Sequence, residues 1–362
     1  MRRKLSINFS TSAELLGIAE ERKPRLTFRA RTQTEWKAWR RAMLQCIRRA
    51  LGTPPPPTPL QFKILNRRDC GDYIREEVVY QSTPRMWVPA YVLVPKNVIG
   101  SRRRAPGMLA IHGHGNGSAD VTGLTVASPY KANDYAVQAV RCGMVTLAPD
   151  LRGFGKRGQD KDQLLSLLLR RRDPDAAGVR RDMCNVQNLK AGLLGYTLMG
   201  LQLHDLRRGL DYLANRPEVD KARIGACGLS AGGMMTLFLS ALDSRIKAAT
   251  ISGTLTSYKS YALTIETVCG LQVPQGILQL GDLADVACLI APRPVCFESG
   301  SRDYGFLPTV AQQEFRRIRQ CYRLLNVPEL AVQDLFDGGH EWHGTVSLPL
   351  MEKWLTGGKP VR

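Results

Sequence analysis

Short apolar runs alternate with helical patterns through most of the chain, and this constrains the fold more than any other feature. The strand-like runs are PGMLAI, MVTLAPD, ARIGACGLS, IKAATISG, RPVCFESG and ELAVQDLF. Between and after them come the helix-like stretches YAVQAVRCG, LHDLRRGLDYLANRP, 231–242, 310–325 and a last one near 348–355. Strands this uniformly apolar are buried on both faces, so the alternation reads as βαβ units and a mostly parallel sheet covered by helices on both sides. Three earlier runs, FKIL, IREEVVYQ and WVPAYVLV, carry β-branched and aromatic residues between turn-like separators. They read as an antiparallel opening to the same sheet.

Two segments break this pattern. Residues 1–60 read as a basic helical arm with a proline-rich linker, and 61–362 as the main domain. In the arm, Trp36, Trp39, Met43, Cys46, Ile47, Ala50 and Leu51 recur at helical spacing over 35–51, with Lys37, Arg40, Arg41, Arg48 and Arg49 mostly opposite. Thr34 is the expected cap, and Gly52 with the proline run 54–57 stops the helix. The arm is expected to pack on the main domain, a membrane-surface or partner helix being the alternative. The alternation also lapses over 158–199, which reads as an insertion capping the site.

Composition narrows the class. The chain has 362 residues, 44% hydrophobic and 23% charged, which fits a globular protein with ample core. Its formal charge of +19 would suit an anionic polymer, but Arg and Lys are spread along the whole chain. With no zinc-finger spacing or RNA-binding aromatic signature, no specific nucleic acid is expected. Nine cysteines without a CxxC pair argue against a disulfide scaffold and fit a reducing compartment. The opening MRRK lacks a following apolar stretch of the kind a signal peptide needs, and no run is long enough to span a bilayer. A cytoplasmic protein is expected.

Gly228-Leu229-Ser230-Ala231-Gly232-Gly233 matches G-x-S-x-G. An apolar strand runs into it and a helix runs out, the setting this motif requires. The turn is so tight that side chains flanking the serine would clash, so glycine is needed there. Ser230 is the expected nucleophile. A serine hydroxyl needs a base within hydrogen-bond reach. Among five histidines, His340 in FDGGHEW follows a strand, so its loop gathers at the same sheet edge as Ser230. His343 is the alternative base, and His204 reads as a packing residue. The imidazole must be oriented by a carboxylate. Asp303 follows the strand RPVCFES, whereas its competitor Glu298 lies within that strand.

The tetrahedral intermediate needs donors aimed at its oxyanion, each worth roughly 3–4 kcal/mol of barrier. Candidates are the N–H of Ala231 and that of His114 in the glycine-rich run 112–115, with Gly113 the alternative to His114. The side chains of His112 and His114 are expected to serve loop structure, and no metal site is expected. Asp150 and Arg152, in PDLRGFG, read as a buried ion pair or, for Arg152, a substrate contact. Tyr304, Phe306 and Trp342 are further candidates for the pocket wall.

HGHGNG, APDLRGFG, RPEVDKARIGACGLSAGG, APRPVCFESGSRDYGF and FDGGHEWHG, in that order, resemble the dienelactone hydrolase and acetyl xylan esterase branch of the α/β-hydrolases. The resemblance covers roughly residue 80 to the C-terminus. It implies an α/β-hydrolase sheet of about eight strands, a triad of Ser230, Asp303 and His340, and carboxylic-ester hydrolysis without a cofactor. Ser230 stands where dienelactone hydrolases carry cysteine, which lowers dienelactone as substrate. RGF and GLSAGG replace the RGQ and GxSQGG of the best-known acetyl xylan and cephalosporin-C deacetylases. The expected substrate is a small-molecule or carbohydrate ester, acetyl-type, hydrolysed through an acyl-enzyme. A peptidase of the oligopeptidase type, or an inactive anionic-polymer-binding protein, are the alternatives. Oligomeric state is open, a homo-oligomer included.

Overall fold

Among the residues that the computed structural model describes, nine strands form one sheet in the order β1-β2-β3-β5-β4-β6-β7-β8-β9. The described residues are 8–125, 133–158, 183–265 and 268–357. The opening strands β1 (Phe62–Asp69), β2 (Tyr73–Thr83) and β3 (Met86–Pro95) pair antiparallel, and β3 also pairs antiparallel with β5. From β5 (Val145–Pro149) through β4 (Ala105–Ile111), β6 (Val219–Leu229), β7 (Ile246–Ser252), β8 (Val295–Gly300) and β9 (Ala331–Phe336), every pairing is parallel. All residues of β4, β5 and β8 are buried, the polar Thr146, Glu298 and Ser299 included, as befits strands covered on both faces.

The sheet has one strand more than the eight or so that the resemblance implies, and its outermost strand is β1, which contains the expected run FKIL. All of it is exposed, and its pairing with β2 carries it past the apolar FKIL into Asn66-Arg67-Arg68-Asp69. Charged residues on an edge strand discourage pairing with another chain.

Among the described residues the α-helices are α1 (Thr11–Glu21), α2 (Gln33–Ala50), α3 (Ser118–Val121), α4 (Tyr135–Arg141) and α5 (Met183–Gly192). After them come α6 (Leu198–Ala214), α7 (Ala231–Leu242), α8 (Leu283–Ala287), α9 (Pro308–Leu324) and α10 (Ser347–Thr356). α7 lies between β6 and β7 with nearly every side chain buried. No helix among the described residues is long and apolar enough to cross a membrane.

The N-terminal segment shares the main core. Met43 and Ile47 of α2 are fully buried in the same apolar cluster as α6 and α7. The chain before α2 is tied in as well, since Phe28 N–H donates to Asp285 at 2.8 Å and Leu26 N–H to the Leu280 carbonyl at 2.7 Å. The cap of α2 is Thr32 rather than Thr34, its hydroxyl accepting from Glu35 N–H at 3.1 Å. The Glu35 carboxylate accepts Arg31 N–H at 2.7 Å, and the helix starts at Gln33, two residues before the apolar pattern read over 35–51. Of the span 158–199, residues 159–182 lie outside the described residues. The rest includes α5, which packs on α6.

Candidate active site

Ser230 occupies the turn between β6 and α7 with φ +60° and ψ −123°, a backbone region that residues with a Cβ rarely visit. The crowding is severe. A Cβ at Gly232 would lie 1.9 Å from the Ile111 carbonyl oxygen, and one at Gly228 would lie 2.5 Å from the Gly232 carbonyl carbon. Both positions therefore require glycine. Ser230 N–H donates to the Ser252 carbonyl at 3.0 Å, and the Thr254 hydroxyl donates to the Ser230 carbonyl at 2.7 Å. These bonds from the neighbouring strand and its loop hold the turn in place.

His340 Nδ1 bonds Asp303 Oδ2 at 2.7 Å. An ionised carboxylate only accepts, so this contact puts the proton on Nδ1 and makes Nε2 the basic nitrogen. Asp303 is 2% exposed, and its other oxygen accepts the backbone N–H groups of Gly305 and Phe306, both at 2.9 Å. The Phe306 ring stacks on the His340 ring at 5.2 Å between centroids, and Tyr261 stacks on Phe306 at 4.7 Å. Gly253 leaves room for the imidazole, since a Cβ there would lie 3.0 Å from His340 Cε1. Ser230 and His340 line one small cavity together with His112, Gly113, His114 and Tyr135. Three loops that follow β6, β8 and β9 thus meet at one sheet edge.

The run 112–115 flanks the serine from the other side. A Cβ at Gly113 would lie 2.9 Å from the Leu229 carbonyl oxygen and 3.2 Å from Ser230 Cβ, so only glycine permits this approach. Ala231 opens α7 directly after Ser230, and His114 lines the same cavity as Ser230. The His112 side chain is structural, as expected. Its Nε2 accepts Leu151 N–H at 2.9 Å, and Nδ1 faces the Gly113 carbonyl at 2.7 Å. Burial holds this imidazole below its ordinary pKa.

The remaining candidates fall into different surroundings. His343 pairs with Asp334 at 2.6 Å and stacks on Phe336, and it does not line the cavity of Ser230. Glu298 is fully buried and braces the histidine loop, accepting from the Ser347 hydroxyl at 2.5 Å and from Gly344 N–H at 2.9 Å. His204 bonds the Ser82 carbonyl at 2.8 Å, a packing contact. Trp342 is 2% exposed, stacked against Tyr135 at 4.6 Å, with its indole N–H donating to Gln138. It is core and not pocket wall. Tyr304 is 84% exposed.

The partner expected of Arg152 needs correction. It does not pair with Asp150. Its guanidinium binds Asp205 through two bonds of 2.8 and 2.9 Å, and Arg157 donates to the same carboxylate at 2.7 Å. Burial works to raise the Asp205 carboxyl, but the two guanidinium groups hold it below the usual carboxylate range. Asp150 instead accepts the backbone N–H groups of Ser118 at 2.7 Å and Lys156 at 2.9 Å. Arg152 does line a second cleft of about 800 Å³, with Trp87, Lys156 and Tyr196 among its walls. Nothing local in the sequence marks Asp205 as Arg152's partner.

A mostly parallel sheet with helices on both faces, carrying a serine at a strained strand-to-helix turn, defines the α/β-hydrolase fold. The chain belongs to the Abhydrolase family, whose pattern matches residues 6–333 and so takes in the N-terminal segment. It is 27% identical over 204 residues to YtaP of Bacillus subtilis (strain 168), a protein provisionally described as a hydrolase. That match takes in 55% of this chain and 59% of YtaP. Among solved structures, a provisionally assigned acetyl xylan esterase from Bacteroides fragilis NCTC 9343 superposes with a TM-score of 0.73 at 17% identity, over 93% of this chain and 84% of that one. A glucuronoyl esterase from Solibacter usitatus gives 0.63 at 12% identity, over 90% and 94%. Acetyl xylan esterase 1 from Thermoanaerobacterium sp. JW/SL YS485 gives 0.52 at 18%, over 86% and 99%.

Proposed function

We propose that the protein is a serine carboxylic-ester hydrolase acting through an acyl-enzyme on small acyl esters, acetyl-type, of carbohydrates. The observation that carries this reading is the His340–Asp303 pair beside Ser230 in one cavity, with the serine on a strained turn. Ser230 Oγ attacks the ester carbonyl while His340 Nε2 takes its proton. The N–H groups of Ala231 and His114 receive the developing oxyanion, Gly113 being the alternative to His114. His340 then gives the proton to the departing alcohol. Water repeats the cycle on the acyl-enzyme and returns the free serine and the carboxylic acid. Asp303 stabilises the imidazolium in both halves.

The acetyl-ester preference draws on the esterases among the structural relatives. Phe306, stacked on the His340 ring, is proposed as a further substrate contact. Arg152 and Tyr304 are proposed as outer substrate contacts, Arg152 through the second cleft.

Ser230→Ala is expected to abolish hydrolysis of p-nitrophenyl acetate, a loss of about 10⁴-fold or more, with an unchanged circular-dichroism spectrum. Retained turnover would reject the assignment. Aminoacyl-p-nitroanilides measured alongside separate an esterase from a peptidase.

A further inference from the structure

His114, Cys184 and Cys269 come from three distant parts of the chain and meet beside the active site. Their ligating atoms all lie within 4.8 Å of one another. His114 Nε2 is 3.3 Å from Cys269 Sγ, and the thiols of Cys184 and Cys269 are hydrogen-bonded to each other. Each ligand is held by its own surroundings. The His114 ring packs edge-on against Phe154 at 5.4 Å. Cys184 lies on α5, whose Asn185 accepts Gly270 N–H at 2.7 Å, and a Cβ at Gly270 would lie 2.5 Å from Asn188 Cβ. Cys269 N–H donates to Gln272 Oε1 at 3.3 Å, and the Tyr261 hydroxyl donates to the same oxygen at 2.7 Å. This packing fixes α5 against the 268–272 loop without using either thiol.

The geometry points to a metal site at His114, Cys184 and Cys269 for a thiophilic divalent cation of the zinc class. A tetrahedral zinc ion with Zn–S of about 2.3 Å and Zn–N of about 2.0 Å places sulfur about 3.5 Å from nitrogen and the two sulfurs about 3.8 Å apart. The existing nitrogen–sulfur separation already matches, and the widest separation closes with a contraction of about 1 Å. One imidazole and two thiols leave a fourth position for water, and two thiolates balance the dication. Binding therefore releases two protons to solvent: M²⁺ plus two thiols gives the dithiolate complex and 2 H⁺. His114 is exposed, so the ion reaches the site from water. Once bound it clasps α5 to the 112–115 loop. This inference goes beyond the hydrolase reading and does not rest on it.

The test is anaerobic titration of the full-length, reduced, chelator-stripped protein with Co²⁺. One equivalent is expected to saturate a thiolate-to-cobalt charge-transfer band together with tetrahedral visible bands, and Zn²⁺ should bleach both. Cys184→Ser and Cys269→Ser are each expected to weaken binding at least about 100-fold, while Cys142→Ser leaves it unchanged. X-ray absorption of the zinc-loaded wild type reads the ligands directly, with two sulfurs and at least one nitrogen expected, so the inference stays testable if a variant misfolds. No saturable band, a band that survives both serine substitutions, or an absorption spectrum without two sulfurs overturns it. So does a wild-type thiol count short by two that a phosphine reductant restores, with no cobalt bound after reduction.

Discussion

Two histidine–carboxylate pairs stand three residues apart near the C-terminal end of the sheet. His340 meets Asp303 at 2.7 Å, and His343 meets Asp334 at 2.6 Å. Each imidazole also stacks on a phenylalanine, Phe306 in the first case and Phe336 in the second. By local geometry they are near twins. They differ in what lies on the other side of the ring. Only His340 shares a cavity with Ser230. Asp303 comes from the loop after β8 and crosses to the histidine loop, whereas Asp334 sits in β9 just before its own histidine. A carboxylate can orient an imidazole wherever the two touch, and on the proposed mechanism the neighbouring serine decides which pair does chemistry.

The sharpest way to break this comparison is to remove each histidine. His340→Ala is expected to cost about 10⁴-fold or more in kcat. Asp303→Asn should follow at roughly 10³- to 10⁴-fold, through loss of the imidazole's orientation and charge balance. Steady-state kinetics on p-nitrophenyl acetate reads both. Equal losses on removing His343 would undo the assignment of His340.

A third histidine sharpens the contrast between chemistry and structure. His112 is buried as the neutral form, and its folded-state pKa is depressed, chiefly by burial. The unfolded chain then binds a proton more readily than the folded one. Stability from this group is fully present above about pH 6.5, the ordinary histidine value, and is lost as pH falls toward the depressed folded value. Urea unfolding of wild type should weaken across that window, and His112→Asn should flatten the slope. An unchanged slope would mean that His112 binds its proton equally well in the folded and the unfolded chain.

The smallest effect belongs to the second pair. Asp334→Asn and His343→Ala are expected to change kcat/KM by no more than about threefold and to cost about 1 kcal/mol of stability. Thermal unfolding and the same ester assay measure both.

What the sequence revealed and what it hid divide along the same line. The turn at Ser230 was legible because its cause is local: an apolar strand, glycines forced by crowding, then a helix. His340 and Asp303 were legible because each follows a strand, and strand ends gather on one edge. Contacts that depend on distant packing were not. Asp205 draws Arg152 away from Asp150 across 53 residues, and Glu298 supports the histidine loop from inside a strand. Trp342 looked like a pocket residue from its place beside His340, yet it turns into the core against Tyr135. β1 outran its apolar stretch because pairing with β2 continued into polar residues. α1 escaped notice for the opposite reason, having no buried residue to leave a pattern. The cysteine pair could not be foreseen, since 184 and 269 meet only when the chain is folded.

The backbone at residue 230 has one more implication. A side chain held at φ +60° carries a conformational penalty of about 1–3 kcal/mol that glycine would largely escape. Ser230→Gly should therefore melt at a slightly higher temperature than wild type while hydrolysing nothing. At this position disuse and robustness point the same way: a lineage that no longer required turnover would gain a sturdier molecule by discarding its serine.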